Sequence, residues 1–148
     1  MKLTVAWIGK TKQAAIDSLT EEYLRRLARY AEVESAALKD EASLLRMVSG
    51  NSRSRTQPVL ILLDSKGQQM SSEELATFLR HHQERSPAPL IFAIGPASGF
   101  AKASRETASK LLSLGRMTIA HELARVVLLE QLYRAYTILQ GHPYHLGH

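Results

Sequence analysis

Val59-Leu60-Ile61-Leu62-Leu63 and Leu90-Ile91-Phe92-Ala93-Ile94 are the two stretches on which the fold turns. Neither alternates apolar with polar residues. A continuous apolar run of this length suits a strand covered on both faces, as inside a parallel sheet. Residues 3–8, 33–38 and 117–120 are shorter or weaker runs of the same kind. Helical periodicity lies between them. Leu19, Tyr23, Leu24, Leu27 and Tyr30 recur at steps of three and four, so residues 13–30 are expected to form a helix with one apolar face. Asp40 offers an N-cap to a second helix over 40–49. Ser71-Ser72-Glu73-Glu74 opens a third with an acidic first turn, and Ser86-Pro87 ends it. Residues 101–113 read as a fourth helix, stopped by Gly115. The fifth, 121–139, is apolar over most of its surface through Leu123, Val126, Val127, Leu128, Leu129 and Leu132, so it is buried or faces another subunit. Strand and helix alternating in this way predict an α/β domain, a mainly parallel sheet flanked by helices, in one domain over 1–148.

Composition narrows the function. Lys and Arg number 19 against 14 Asp and Glu, a formal charge of +5, which favours a polyanionic partner. Arginine carries much of the excess: Arg25, Arg26 and Arg29 cluster, then Arg53 and Arg55, then Arg116, Arg125 and Arg134. Arginine forks onto phosphate and stacks on bases, although helix-surface pairing with glutamate explains some of these positions equally well. The absence of cysteine excludes disulfides and thiolate metal sites. The opening residues lack the long apolar run of a secretory signal, and no run approaches a membrane span. A cytoplasmic protein is therefore expected, with no membrane partner.

Ligands of such sheets sit beyond the carboxyl ends of the strands. Those ends are Leu63-Asp64, Ile94-Gly95 and the region around Thr118-Ile119. Gly95-Pro96-Ala97-Ser98-Gly99 follows the fourth run, and its two glycines allow close backbone approach to a ligand. It matches neither a dinucleotide fingerprint nor a phosphate loop, so a tight turn without a ligand is an equal reading. The terminal Gly141-His142-Pro143-Tyr144-His145-Leu146-Gly147-His148 places two imidazoles and a phenol within four residues, a compact polar hook where a frayed end is the ordinary alternative. His142, His145 and His148 have no carboxylate near them in sequence, so no metal site is expected. His81-His82 reads as solvated, and residues 49–58 as a mobile polar loop.

Together these segments resemble the RlmH family of ribosomal RNA large-subunit methyltransferases. The matching residues are Met1-Lys2-Leu3, Tyr23-Leu24-Arg25-Arg26, Leu62-Leu63-Asp64 with Gly67, Ile94-Gly95 with Gly99, Leu132-Tyr133-Arg134-Ala135 and His142-Pro143-Tyr144-His145. The last two are the specific part. The resemblance implies a SPOUT fold whose C-terminal part threads into a trefoil knot, a feature that patterning alone would not suggest. It implies a homodimer, S-adenosylmethionine as cofactor, and methylation of N3 of a pseudouridine in a hairpin loop of 23S ribosomal RNA. Cofactor contacts carry over to Leu63, Gly95 and the segment Leu114, Gly115, Arg116, Met117, Thr118 and Ile119. The reacting end carries over to the tail, with Tyr144 stacking, His145 or His142 available as the base, and Arg134 meeting phosphate or developing charge. Two segments depart from the family pattern. Gly95-Pro96-Ala97-Ser98-Gly99 stands where the family reads Gly-Gly-Pro-Glu-Gly, and Ala120-His121-Glu122 where it reads Pro-His-Pro. An RNA-binding ribosome-assembly protein without methyl transfer, or a SPOUT enzyme acting on transfer RNA, are the alternatives.

Overall fold

The computed structural model describes residues 1–49 and 56–147. Five parallel strands form one sheet in the order β2-β1-β4-β3-β5, with β1 Lys2–Ile8, β2 Glu32–Leu38, β3 Val59–Gln69, β4 Leu90–Ile94 and β5 Lys110–Ser113. The helices are α1 Ala14–Leu27, α2 Glu41–Ser49, α3 Ser72–Arg85, α4 Lys102–Thr107 and α5 His121–Leu139, followed by a 3-10 turn at His145–Gly147. The alternation of side chains along each strand divides the core in two. Leu3, Val5, Trp7, Ile61, Leu90, Phe92 and Ile94 point to the face covered by α1, α3 and α5. Ala6, Leu60, Leu62, Ile91 and Ala93 point to the other, where Leu44 and Val48 of α2 meet them. Both faces are thus dry, the condition that the continuous apolar runs imply. In α5, Leu128, Leu129, Leu132 and Ala135 are fully buried, each leucine contributing about 1.5–3 kcal/mol of burial.

The sequence expectations hold for β1, β2, β4 and α5. The C-terminal third differs. The strand expected at 117–120 does not form, and β5 is instead Lys110–Ser113, inside the helix expected over 101–113. Helix α4 stops at Thr107 because Ala108 turns into extended backbone. The chain then pairs with β3, which runs on past Leu63 to Gln69 through an irregularity in which Leu63 and Gln68 both face Leu112. After β5, the Ser113 hydroxyl bonds the Gly115 backbone, Gly115 takes φ 141, and Met117 is 84% exposed, so residues 114–120 form a turning loop.

Local chemistry fixes the helix starts. Ser71 and Glu74 form a reciprocal capping box on α3, the Ser71 hydroxyl accepting from Glu74 N at 3.0 Å and the Glu74 carboxylate from Ser71 N at 2.9 Å. Ser71→Ala is expected to cost about 1 kcal/mol, seen as a melting point lower by roughly 2–4 °C. Helices α1 and α4 have no side-chain cap of their own. Each borrows a glutamate from elsewhere: Glu122 of α5 accepts from Lys12 N and Gln13 N at 3.1 and 3.2 Å, and Glu41 of α2 from Ala101 N at 2.9 Å and the Ser104 hydroxyl at 2.7 Å. Burial works against the Glu122 charge, yet the two N–H donors hold its carboxyl below the usual range. These long-range caps tie the starts of α1 and α4 to distant parts of the chain.

Candidate active site

A cavity of about 530 Å³ opens beside the irregular middle of β3, after Leu63, and at the carboxyl ends of β4 and β5. Its walls come from Leu63–Lys66, from Ile94–Phe100, from Leu112, Leu114 and Gly115, from residues 117–120, and from His121 and Ala124 of α5. Of the residues expected to hold a cofactor, Leu63, Gly95, Leu114, Gly115, Met117, Thr118 and Ile119 line this one space. Arg116 does not line it and is exposed. A Cβ at Gly95 would lie 3.0–3.1 Å from the Phe100 ring, so only glycine leaves that wall flat without moving the aromatic. Gly99, at φ 85, closes the turn through its N–H to the Pro96 carbonyl at 2.8 Å. The Asp64 carboxylate, also on the wall, faces Arg105 at 3.4 Å.

The expected catalytic residues assemble with one another, away from the cavity. Arg134 grips Glu130 with Nε and Nη2, at 2.9 and 3.0 Å for the shorter contacts. Its Nη1 lies 3.1 Å from Nδ1 of His145, and its guanidinium stands 5.0 Å from the Tyr144 ring centroid. His142 Nδ1 accepts from Tyr144 N at 3.1 Å, which shapes the hook. Tyr144 meets Tyr133 edge-on at 4.8 Å and joins a cluster containing all five tyrosines of the chain, Tyr23, Tyr30, Tyr133, Tyr136 and Tyr144. Burial, followed by the nearby Glu130 charge, pushes the Tyr144 phenol up to about 12, so it stays protonated at neutral pH.

None of the described tail residues borders the cavity within the same chain. His121 stands at the cavity and Arg134 thirteen residues further along α5, a separation of about 20 Å at the helical rise. Among the described residues, the tail therefore does not cover this cavity in its own chain. Arg53, Arg55 and His148 lie outside the described residues.

Burial and pairing correct the readings of Arg125 and His82, and at Arg25 and Arg26 they favour the helix-surface pairing with glutamate over a phosphate contact. Arg125 is only 1% exposed and unavailable to phosphate. Its guanidinium stacks 3.9 Å from the Trp7 ring centroid, and Nη2 donates to the Thr11 hydroxyl at 2.8 Å. Desolvation lowers its pKa, but arginine remains charged, and the stacked indole supplies part of the lost hydration. Arg125 thus clamps the turn after β1 to α5, beside the cavity. Arg26 stacks on Tyr23 and Tyr133 and, like Arg25, pairs with Glu22. His82 is tied to the Ala88 carbonyl at 2.6 Å rather than solvated.

Comparison with known proteins agrees with this architecture. A family model described as "Predicted SPOUT methyltransferase" matches residues 1–145. Ribosomal RNA large subunit methyltransferase H of Koribacter versatilis is 55% identical over 148 residues, covering all of both chains. The protein of that name from Geotalea daltonii is 40% identical, over 98% of this chain and 99% of its own. Among solved structures, the SpoU methyltransferase AviRb from Streptomyces viridochromogenes, in complex with the cofactor AdoMet, superposes with a TM-score of 0.54 at 14% identity, over 88% of this chain and 56% of that one. A probable methyltransferase from Bordetella pertussis gives 0.57 at 10% identity, over 90% and 93%. At those identities the likeness is one of fold.

Proposed function

We propose that this chain, which belongs to the ribosomal RNA large subunit methyltransferase H family of SPOUT methyltransferases, transfers a methyl group from S-adenosylmethionine to N3 of a pseudouridine in 23S ribosomal RNA. The observation that carries the reading is the convergence of the irregular middle of β3 and the carboxyl ends of β4 and β5 on one cavity. Its size falls in the range of about 300–1,000 Å³ usual for small-molecule sites. The lining fits the cofactor: Leu63, Ile94 and Ile119 supply apolar surface for an adenine, while Gly95, Gly115 and Thr118 bring backbone donors and acceptors to the rim. The chain leaves β5 at the sheet edge, lines the same cavity through residues 114–120 with β3 and β4, and enters α5, the path that the trefoil knot of the SPOUT fold would use. Residues 1–148 act as one domain in this reading.

When bound, S-adenosylmethionine supplies an electrophilic methyl on its sulfonium. The chain's own task is to present the base in line and manage the N3 proton. Alignment alone is worth up to about 7–11 kcal/mol. Tyr144, held protonated, offers a stacking face to a splayed base. Arg134 offers donors to the charge that develops on the ring as the proton leaves. His142 and His145 bring two imidazoles to the same end of the chain, the candidate groups for receiving that proton.

The distance of the tail from its own cavity is met by a homodimer in which each tail completes the partner's site. Leu19, Met117, Leu123 and Val127 support this, being large apolar side chains left 37–84% exposed, with Leu123 and Val127 one turn apart on α5. Leu123→Glu is expected to halve the mass measured by sedimentation. An unchanged mass would remove this face from the interface. Among the described residues no helix is long and apolar enough to cross a membrane, and the reading has the protein working in the cytoplasm on the ribosome or its large subunit. The decisive experiment incubates labelled S-adenosylmethionine with large subunits, ribosomes and bulk transfer RNA. A label mapped to one pseudouridine of 23S RNA is expected. Label in transfer RNA, or none, would overturn the assignment.

A further inference from the structure

We infer that Glu73 is a positioning residue for methyl transfer, acting through His145. The inference rests on the tail being part of the active site, as proposed above. His145 is held at both ring nitrogens. Nδ1 lies 3.1 Å from Arg134 Nη1, and Nε2 lies 2.6 Å from Glu73 Oε1. A guanidinium can only donate, so Nδ1 is the acceptor. In the neutral ring the proton then sits on Nε2 and is donated to Glu73. The result is a chain of four side chains, Glu130–Arg134–His145–Glu73, running from α5 through the tail to α3.

The far end of this chain is well anchored. Glu73 sits in the first turn of α3, where the helix N-terminus favours a carboxylate. The capping box fixes that turn, and the Ser72 hydroxyl bonds Gln131 of α5 at 2.6 Å. The hydrogen bond from His145 is also the largest influence holding the Glu73 carboxyl below its usual range. The tail leaves α5 with the His142 N–H bonded to the Thr137 carbonyl at 2.9 Å, and it curls through bonds from Leu146 N and Gly147 N to Pro143 and from Gly147 N to Tyr144. Its side chains then fix the hook: Tyr144 packs with Tyr133, Arg134 and Tyr23, and His145 sits between Arg134 and Glu73.

Burial separates positioning from stability here. The Glu73 side chain is 63% exposed, and exposed pairs of this kind contribute little to folding. A misplacement of about 1 Å at a reacting group, however, can cost about 10²-fold in rate. The same bonds give His145 a second property. With its lone pair directed at Arg134 and its N–H at Glu73, the ring is an orienting element rather than a free proton acceptor while the chain of bonds is closed.

The test compares Glu73→Ala and Glu73→Gln in the full-length protein. Measurements are kcat and KM with large subunits, cofactor Kd by calorimetry, melting temperature, and ¹⁵N shifts of the His145 ring. Glu73→Ala is expected to lower kcat at least tenfold, leave cofactor Kd within twofold and Tm within about 2 °C, and move the ring from one Nε2-protonated tautomer to a mixture. Glu73→Gln keeps an acceptor oxygen and should recover activity to within about threefold of wild type. Unchanged kcat or unchanged ring shifts in Glu73→Ala would overturn the inference, as would equal damage in both variants accompanied by weakened cofactor binding. A wild-type protein whose ring responds as described but which methylates no RNA would instead sink the function on which the kinetic half depends.

Discussion

Arg134→Ala is expected to reduce kcat for methyl transfer about 100-fold, the size of loss that accompanies ångström-scale misplacement of a reacting group, and to leave S-adenosylmethionine affinity within twofold. The residue is 9% exposed, and its guanidinium serves three partners: Glu130 by its fork, His145 by Nη1 and the Tyr144 ring by its face. Its hydrogen bonds with Glu130 raise its pKa further, so the charge is present at every working pH. Truncation leaves the Glu130 carboxylate half-buried without its cation and releases one anchor of the tail. The cofactor cavity of its own chain lies about 20 Å away along α5, and at the partner's cavity Arg134 faces the base rather than the cofactor, hence the separation between rate and affinity. Arg134→Lys restores a charge but not the planar fork, which reaches Glu130 and His145 in different directions. It is expected to recover less than a tenth of the lost rate. Single-turnover methylation beside calorimetry checks both variants, and a kcat near wild type in Arg134→Ala would exclude the residue from the reacting end.

The parts of this architecture legible in sequence are those whose signal is local. Leu90–Ile94 is a run of five apolar residues and forms a strand buried at every position. Helix α5 announces itself by length and apolarity, and its bounds follow. Strand β5 carries no such signal. Lys110-Leu111-Leu112-Ser113 is four residues that could extend the preceding helix, and only pairing with the second half of β3 makes it a strand. The weak apolar run at 117–120 attracts a strand assignment that Gly115 and the exposed Met117 defeat. The same limit applies to the site. That Leu63, Gly95 and residues 114–119 matter is implied by family resemblance, and their convergence is a property of strand order. Arg125 has the residue type of a phosphate contact, and nothing in its spacing signals that Trp7, 118 positions earlier, will bury it. Glu73 and His145 are 72 positions apart. Their pairing depends on α3 packing beside the end of α5, which no window of sequence contains.

Gly67→Ala is expected to destabilise the fold by about 3 kcal/mol, the upper part of the usual range for overpacking, and to lower the melting temperature by roughly 6–12 °C. A Cβ built at Gly67 lies 2.5 Å from both the carbonyl carbon and oxygen of Leu111 and 2.8 Å from Leu112 N. All three atoms are backbone of β5, so no side-chain rotation relieves the contact. Relief requires parting the extension of β3 from β5, which sacrifices the pairs Gln68 with Leu112 and Gln69 with Ser113. The damage does not stop at the sheet edge, because Leu112 of β5 and Leu114 and Gly115 just after it stand on the cavity wall. Cofactor affinity is therefore expected to fall along with stability, unlike the outcome at Arg134. Gly147→Ala provides the contrast: nothing lies within 4 Å of its added Cβ and its backbone needs no positive φ, so its melting temperature should match wild type. Thermal denaturation of both variants, with calorimetry on Gly67→Ala, separates the cases. If Gly67→Ala melts with wild type, the close passage of β3 over β5 is not the constraint that holds the cavity wall in place.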